Sequence, residues 1–264
     1  QNAHDRLEGM WAFAWYNEKD GTLLLSRDRF GEKPLYFWKK NNGFYFSSEI
    51  KGLATLAGEW PNINESHLLR NLVNGYRSLY KTRETFFKEV RELPSGNFLK
   101  LNSSSNISFK KYWNFSYVEK KNIKYSDVIE TTKEGVINAV RLRMRSDVPV
   151  AFCMSGGVDS NSLISVASKT LGFDVHGFTI VSRDERYEEQ ALVNKAVEKL
   201  GIQHTSIELN QENFLENLKN VIKAHDSPIY TISYYVQWQL MQAMASKGFK
   251  VTLSGTGADE LFTG

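Results

Sequence analysis

The chain has one cysteine in 264 residues. Cys153 cannot close an internal disulfide, so no disulfide framework organises the fold. That fits a reducing compartment, and a cytoplasmic location is expected. Cys153 lies inside an apolar run and reads as a small core residue, not a nucleophile. No stretch of about 18 apolar residues occurs, so no transmembrane helix is expected. No signal peptide is expected from the opening residues. A charge excess is also missing. Thirty-three basic against 30 acidic residues leave a formal +3, without a nucleic-acid or membrane footprint. Neither partner is expected. Asn102–Asn122 carries four lysines, but Asn and Ser dilute them, and the segment reads as a solvated linker or hairpin.

What is present suffices for one or two domains with real cores, at 41% hydrophobic and 24% charged residues. The chain starts with Gln1, not Met, and Asp259–Gly264 reads as the start of a helix or turn. A piece cut at both ends is expected.

The first half reads as β. Met10–Tyr16 alternates large and small residues, Asn17–Gly21 supplies a turn, and Thr22–Ser26 is a second apolar run. Leu35–Trp38 and Phe44–Ser47 flank Asn41-Asn42-Gly43, a second hairpin. Phe98–Leu101 and Ile107–Trp113 form a third around Ser103–Asn106. Short strands with close turns imply an antiparallel sheet. Glu49–Leu56 reads as a short helix capped by Ser47-Ser48, and Asn64–Val73 as a helix capped by Asn64 and ended by Gly75. The segment Arg27–Tyr36, dense in charges, reads as a structured loop whose charges pair with each other.

From about residue 124 the period changes. Val128, Thr131, Thr132, Val136, Val140 and Leu142 fall at helical spacing, up to Asp147-Val148-Pro149. Strands at Pro149–Met154, Val175–Ile180, Gln203–Leu209 and Phe249–Leu253 then alternate with helices at Val158–Leu171, Glu185–Leu200, Phe214–Ala224 and Ser233–Ser246. Such alternation implies a mostly parallel sheet with helices on both faces. Ligands of such sheets sit at the carboxyl ends of the strands, near the switch in strand order.

Two glycine turns occupy that position. Ser155-Gly156-Gly157-Val158-Asp159-Ser160 follows one strand, and Ser254-Gly255-Thr256-Gly257-Ala258-Asp259-Glu260 follows another. Neither has the lysine of the Walker frame or the G-x-G-x-x-G dinucleotide spacing. What remains is a hydroxyl-rich anion nest in which glycines allow close approach. A carboxylate beside bound phosphates calls for a cation between them, so Asp159 reads as a Mg²⁺ ligand, with Asp259 as a second. Capping accounts for either turn alone. Five specified positions at about one in fourteen each make a chance S-G-G-x-D-S on the order of one in a thousand for this length.

Ser155–Ser160 resembles the pyrophosphate loop of the N-type ATP pyrophosphatases. Arg145–Val150 and Leu253–Phe262 are similar to the flanks and second signature of the glutamine-hydrolysing asparagine synthetases. Arg6–Ala14, Arg27–Gly31, Lys33–Tyr36, Ser47–Lys51 and Leu93–Gly96 resemble the later part of that family's class II glutaminase domain. The resemblance covers almost the whole chain, with its motifs in the family's order. It implies the C-terminal part of an antiparallel α+β glutaminase over 1–115. The N-terminal part of a parallel-sheet, ATP-pyrophosphatase-like α/β domain would follow over 116–264.

The resemblance implies an amide ligase, fed by glutamine or ammonia, that activates a carboxylate acceptor with ATP and Mg²⁺ and releases AMP and pyrophosphate. Aspartate is the acceptor expected first. Ser155, Gly156, Gly157, Asp159 and Ser160 would hold pyrophosphate and metal; Asp259 would hold Mg²⁺. Met154, Ile180, Ser254 and Gly255 would serve the nucleotide, mostly through backbone. Asp159 and Asp259 are the expected catalytic residues. A homodimer is compatible with this reading. The family's N-terminal glutaminase cysteine and its glutamine-binding residues would lie upstream of residue 1, so the piece is expected to be incomplete for catalysis.

Thr256 departs from the acidic residue common in the family, and Asn161 from a common serine. Threonine is no general base at neutral pH. This keeps open another acceptor, such as a sugar uronate or a peptide carboxyl. A cyclase related to the β-lactam synthetases, keeping adenylation without glutaminase chemistry, is a second alternative that the residues before Gln1 would decide. A non-catalytic scaffold is disfavoured because Asp159 and Asp259 both persist. Asp226, before Ser227-Pro228, is expected near the sheet's ligand edge or as a loop cap.

Overall fold

Antiparallel hairpins fill the first part of the chain, as the alternation and turn chemistry imply. The computed structural model describes residues 3–41, 43–119, 122–181 and 190–262. Its contacts form two units, Gln1–Val118 with Ile222–Tyr230, and Glu119–Val221 with Thr231–Gly264.

In the first unit, β1 (Ala12–Asn17) pairs with β2 (Thr22–Arg27) through a turn closed by Gly21 at φ 67°. β3 (Tyr36–Lys40) pairs with β4 (Gly43–Ser47) in a register that sets Lys40 opposite Gly43. Asn41 takes φ 49°, a left-handed value asparagine tolerates; Asn42 lies outside the described residues. Helix α1 (Ile50–Ala57) follows, then α2 (Glu65–Asn74), whose cap Asn64 accepts the His67 N–H as its sequence position predicts. β5 (Val90–Glu92), β6 (Asn97–Leu101) and β7 (Ile107–Lys111) complete two sheets, β1-β2-β6-β7 and β4-β3-β5. Leu25 and Leu99 from the first sheet meet Phe37 from the second in one buried cluster with Leu35 and Leu93.

The charged loop after β2 is a structural knot. Asp28 is buried and accepts N–H bonds from Trp11, Phe30, Glu32 and Lys33. Burial pushes its carboxyl up, but the backbone donors, Lys33 and Glu32 foremost, bring the net shift down. Arg27 spans the same loop, donating to the carbonyls of Gly31, Lys33 and Leu93 and pairing with Glu92 at 2.7 Å. Internal charge pairing, one reading of this segment, is joined by charge-to-backbone bonding.

The second unit is built on a four-stranded parallel sheet, order β10-β9-β8-β11. Helix α3 (Tyr125–Arg143) precedes β8 (Val150–Cys153). Helix α4 (Val158–Ser165) continues into a π-helical turn at Val166–Thr170, where one regular helix is expected from the sequence. Then come β9 (His176–Val181), α5 (Gln190–Leu200), β10 (Gln203–Glu208), α6 (Phe214–His225), α7 (Ser233–Ser246), β11 (Val251–Leu253) and α8 (Ala258–Phe262). The expected start of the α5 helix, at residues 185–189, lies outside the described residues.

The two-residue period of β8 divides the core. Val150, Phe152 and Met154 pack with Val140 of α3, Ile164 of α4 and Val193 of α5. Ala151 and Cys153 face the other way, with Phe178, toward Leu240 and Met244 of α7. Both faces are covered, which is why β8 reads as a continuous apolar run. Fully burying Phe152 contributes about 2–3 kcal/mol.

Candidate functional site

β8 lies between β9 and β11, so the strand order reverses at β8. The carboxyl ends of β8 and β11 lie side by side, with Phe152 opposite Leu253. Each strand ends in one of the two glycine turns, so both turns sit at the switch point where open parallel sheets take ligands.

The first turn is braced from within. The hydroxyls of Ser155 and Ser160 lie 2.9 Å apart, and Ser160 Oγ accepts the Ser155 N–H at 3.1 Å. Ser155 Oγ accepts the Gly157 N–H at 3.2 Å. Asn161 Nδ2 donates to the carbonyls of Ser155 and Gly157 at 2.9 and 2.7 Å. Ser160 is buried, whereas Gly157 and Val158 form an exposed crest at the start of α4. Carbonyls are turned inward by the asparagine, which favours an anion outside. Asn161, a departure from a common serine, is thus a brace of the turn, six positions after Ser155 and four after Gly157.

The second turn packs against the first. A Cβ placed on Gly255 would lie 2.9 Å from the Ser160 nitrogen and 3.0 Å from Asp159 Cβ. Only a glycine fits there without displacing backbone. Ser254 Oγ accepts the Thr256 N–H at 3.2 Å and lies 2.8 Å from the Thr256 hydroxyl. Ala258 N–H closes the turn on the Gly255 carbonyl. Asp159 lies in the first turn of α4 and Asp259 in the first turn of α8, the latter exposed.

Two carboxylates at neighbouring helix starts fit a divalent cation that also takes phosphate oxygens. Mg²⁺ ordinarily uses one or two carboxylates and completes its octahedron with water and substrate. Among the described residues no group of three His, Cys, Asp or Glu that could hold a metal ion occurs.

Met154 is buried at the junction of β8 and the first turn. Its N–H donates to the Phe178 carbonyl at 2.8 Å, and its carbonyl accepts the Thr179 hydroxyl at 3.1 Å. Ile180 lies on β9, with its side chain in the α7-facing cluster. Thr179 lies inside β9, where a threonine carries no distinguishing pattern in the sequence.

Asp226 belongs with the first unit. Its buried carboxylate accepts the Lys51 N–H at 3.0 Å and pairs with Lys51 Nζ at 3.6 Å. It caps the N-terminus of α1, so the capping alternative holds, with a helix 175 positions away in sequence. The Cys153 thiol is pushed up by burial, only partly offset by a contact with the Thr252 hydroxyl, which suits a core residue.

Comparison with known proteins agrees with the motif order. A family model described as asparagine synthase matches residues 131–264, and one described as glutamine amidotransferase domain matches 1–113. "Asparagine synthetase [glutamine-hydrolyzing] 1" of Bacillus subtilis is 30% identical, covering 100% of this chain and 41% of the relative. "Putative asparagine synthetase [glutamine-hydrolyzing] 2" of Methanocaldococcus jannaschii is 32% identical, covering 97% and 49%. "Amidase chry2" of Gibberella zeae is 26% identical, covering 98% and 40%. The chain thus spans under half the length of these relatives. Among solved structures, an NMN synthetase from Francisella tularensis aligns at TM-score 0.38 and 17% identity, covering 50% of this chain and 56% of that one.

Proposed function

Because the chain belongs to the asparagine synthase family, we propose that it forms part of an ATP-dependent, glutamine-fed amide ligase. The observation that carries this reading is the packing of Gly255 onto Asp159-Ser160, which joins two phosphate-type turns at one switch point. We place the glutaminase part at 1–115 and the synthetase part at 116–264.

In this reading a carboxylate oxygen of the acceptor attacks the α-phosphorus of ATP. The bond from that phosphorus to the bridging oxygen breaks, and pyrophosphate leaves. Ammonia then attacks the acyl carbon, AMP leaves with the C–O electron pair, and one proton departs from nitrogen. Ser155, Gly156, Gly157 and Ser160 hold the pyrophosphate, whose charge grows as it leaves, so a rigid nest stabilises the transition state more than the ground state. Asp159 and Asp259 hold Mg²⁺, which neutralises charge on the phosphate oxygens when bound. Met154, Ile180, Ser254 and Gly255 line the nucleotide.

Aspartate is the first acceptor to consider, since two of the relatives named above carry asparagine synthetase in their names. Thr256 favours a second reading, another carboxylate, because a threonine hydroxyl held by Ser254 cannot take the proton of ammonia. The test is carboxylate-dependent exchange of labelled pyrophosphate into ATP by the full-length protein, across aspartate, uronates and peptide acids. Exchange with aspartate alone removes the second reading. Absence of exchange with every acid overturns acyl-adenylate chemistry.

A further inference from the structure

We propose that Thr179 and His204 are positioning residues of the nucleotide site. They act through the main chain of Met154 to fix the carbonyl from which the first turn departs. This rests on the nucleotide reading above and adds two residues to it.

The geometry is a part-buried relay from Met154, just after β8, across β9 to β10. Thr179 is 5% exposed, a polar side chain in the sheet interior. Its hydroxyl donates to the Met154 carbonyl at 3.1 Å and lies 3.0 Å from His204 Nε2. A hydroxyl has one proton, and here it is directed at the carbonyl. His204 Nε2 must therefore carry the hydrogen that bonds Thr179 Oγ1, which fixes the neutral ring's tautomer. Burial lowers the histidine's pKa and so favours that neutral ring.

Space around the relay is shaped for the same end. His204 lies opposite Gly177 in the β10–β9 register, and Gly177 opposite Phe152 in the β9–β8 register. A Cβ on Gly177 would fall 2.3 Å from Met154 Sδ and 3.3 Å from His204 Cδ2. The missing side chain lets Met154 lie flat over β9, against the histidine. Met154 is thereby held at its side chain, at its N–H by Phe178, and at its carbonyl by Thr179.

A carbonyl oxygen has two lone pairs. Thr179 takes one and leaves one for a second donor. A carbonyl so held at the switch point selects a donor on the ligand, such as an exocyclic amino group, and repels an oxo group at that position.

The test is calorimetric binding of ATP and of inosine triphosphate, both with Mg²⁺, to the full-length protein. Inosine triphosphate replaces the amino group by an oxo group. Wild type should prefer ATP. Thr179→Val should weaken ATP binding by about tenfold, equivalent to about 1.4 kcal/mol, and bring the preference toward one. Thr179→Ser and His204→Gln, which keep the donors, should hold the preference within about twofold. General loosening of the fold weakens both nucleotides alike and leaves their ratio intact. If Thr179→Val does not fold, His204→Leu reads the same ratio. A wild-type preference near one, or a preference unchanged in the folded variant, overturns the positioning role alone. Wild type that binds neither nucleotide overturns the nucleotide reading, and this proposal with it.

Discussion

Gly255 meets Asp159 so closely that a Cβ on the glycine would stand 3.0 Å from the aspartate's own Cβ. Gly255 does not need a left-handed φ, so its requirement is one of space. Gly255→Ala should leave the sheet intact and push the two turns apart. Weakening of Mg²⁺-dependent ATP binding by about tenfold or more is expected, with the melting temperature little changed. Calorimetry paired with thermal unfolding reads both.

Asp159→Asn and Asp259→Asn keep shape and remove charge. Each should reduce ATP–pyrophosphate exchange by about 100-fold or more and raise the Mg²⁺ concentration needed for half-activity. Exchange that survives Asp159→Asn at the wild-type Mg²⁺ dependence would remove the metal assignment.

The knot at Asp28 makes a pH prediction. Its folded pKa lies below the ordinary carboxylate value, because the backbone donors outweigh burial. The stability it contributes is therefore full above the unfolded pKa of about 3.9, and is lost as pH falls through the folded value. Asp28→Asn should destabilise by about 2–3 kcal/mol near neutral pH, where charged acceptors of several N–H bonds matter most. The variant should also lose part of the acid dependence below about pH 4. Urea unfolding across pH 3–7 separates the two effects.

Cys153 should resist thiol–disulfide exchange with an aromatic disulfide in the folded protein. Its thiol is pushed up by burial, and the side chain packs against the cluster of Ala151, Phe178, Leu240 and Met244. Dithionitrobenzoate at pH 8 should react slowly with native protein and rapidly in denaturant. Fast native reaction would place the thiol outside the core.

Much of this arrangement is visible in the residues themselves. The β8 run and the turn after it form a local pattern, and Asn64 caps α2 where its type and position say it should. Local chemistry fails where the partner is remote. β5 has one apolar residue in three and exists because β3 pairs with it. Asp226 finds its helix 175 positions away. Thr179 gains meaning only when β8 and β9 are adjacent and His204 stands on the far side. The π-helical turn after α4 keeps helical composition, so the change in hydrogen bonding leaves no mark in the sequence.

The pairing of β8 with β11 also has a kinetic side. Cys153 and Thr252 touch across 99 positions, and β11 must pair with β8 before Gly255 can reach Asp159. Contacts of such separation form late, because loop closure precedes their reward. The first turn can adopt its local bonds early, yet the two-turn site can exist only once β11 has docked on β8. Nucleotide binding followed during refolding should therefore lag behind helix formation, and report the docking of β11.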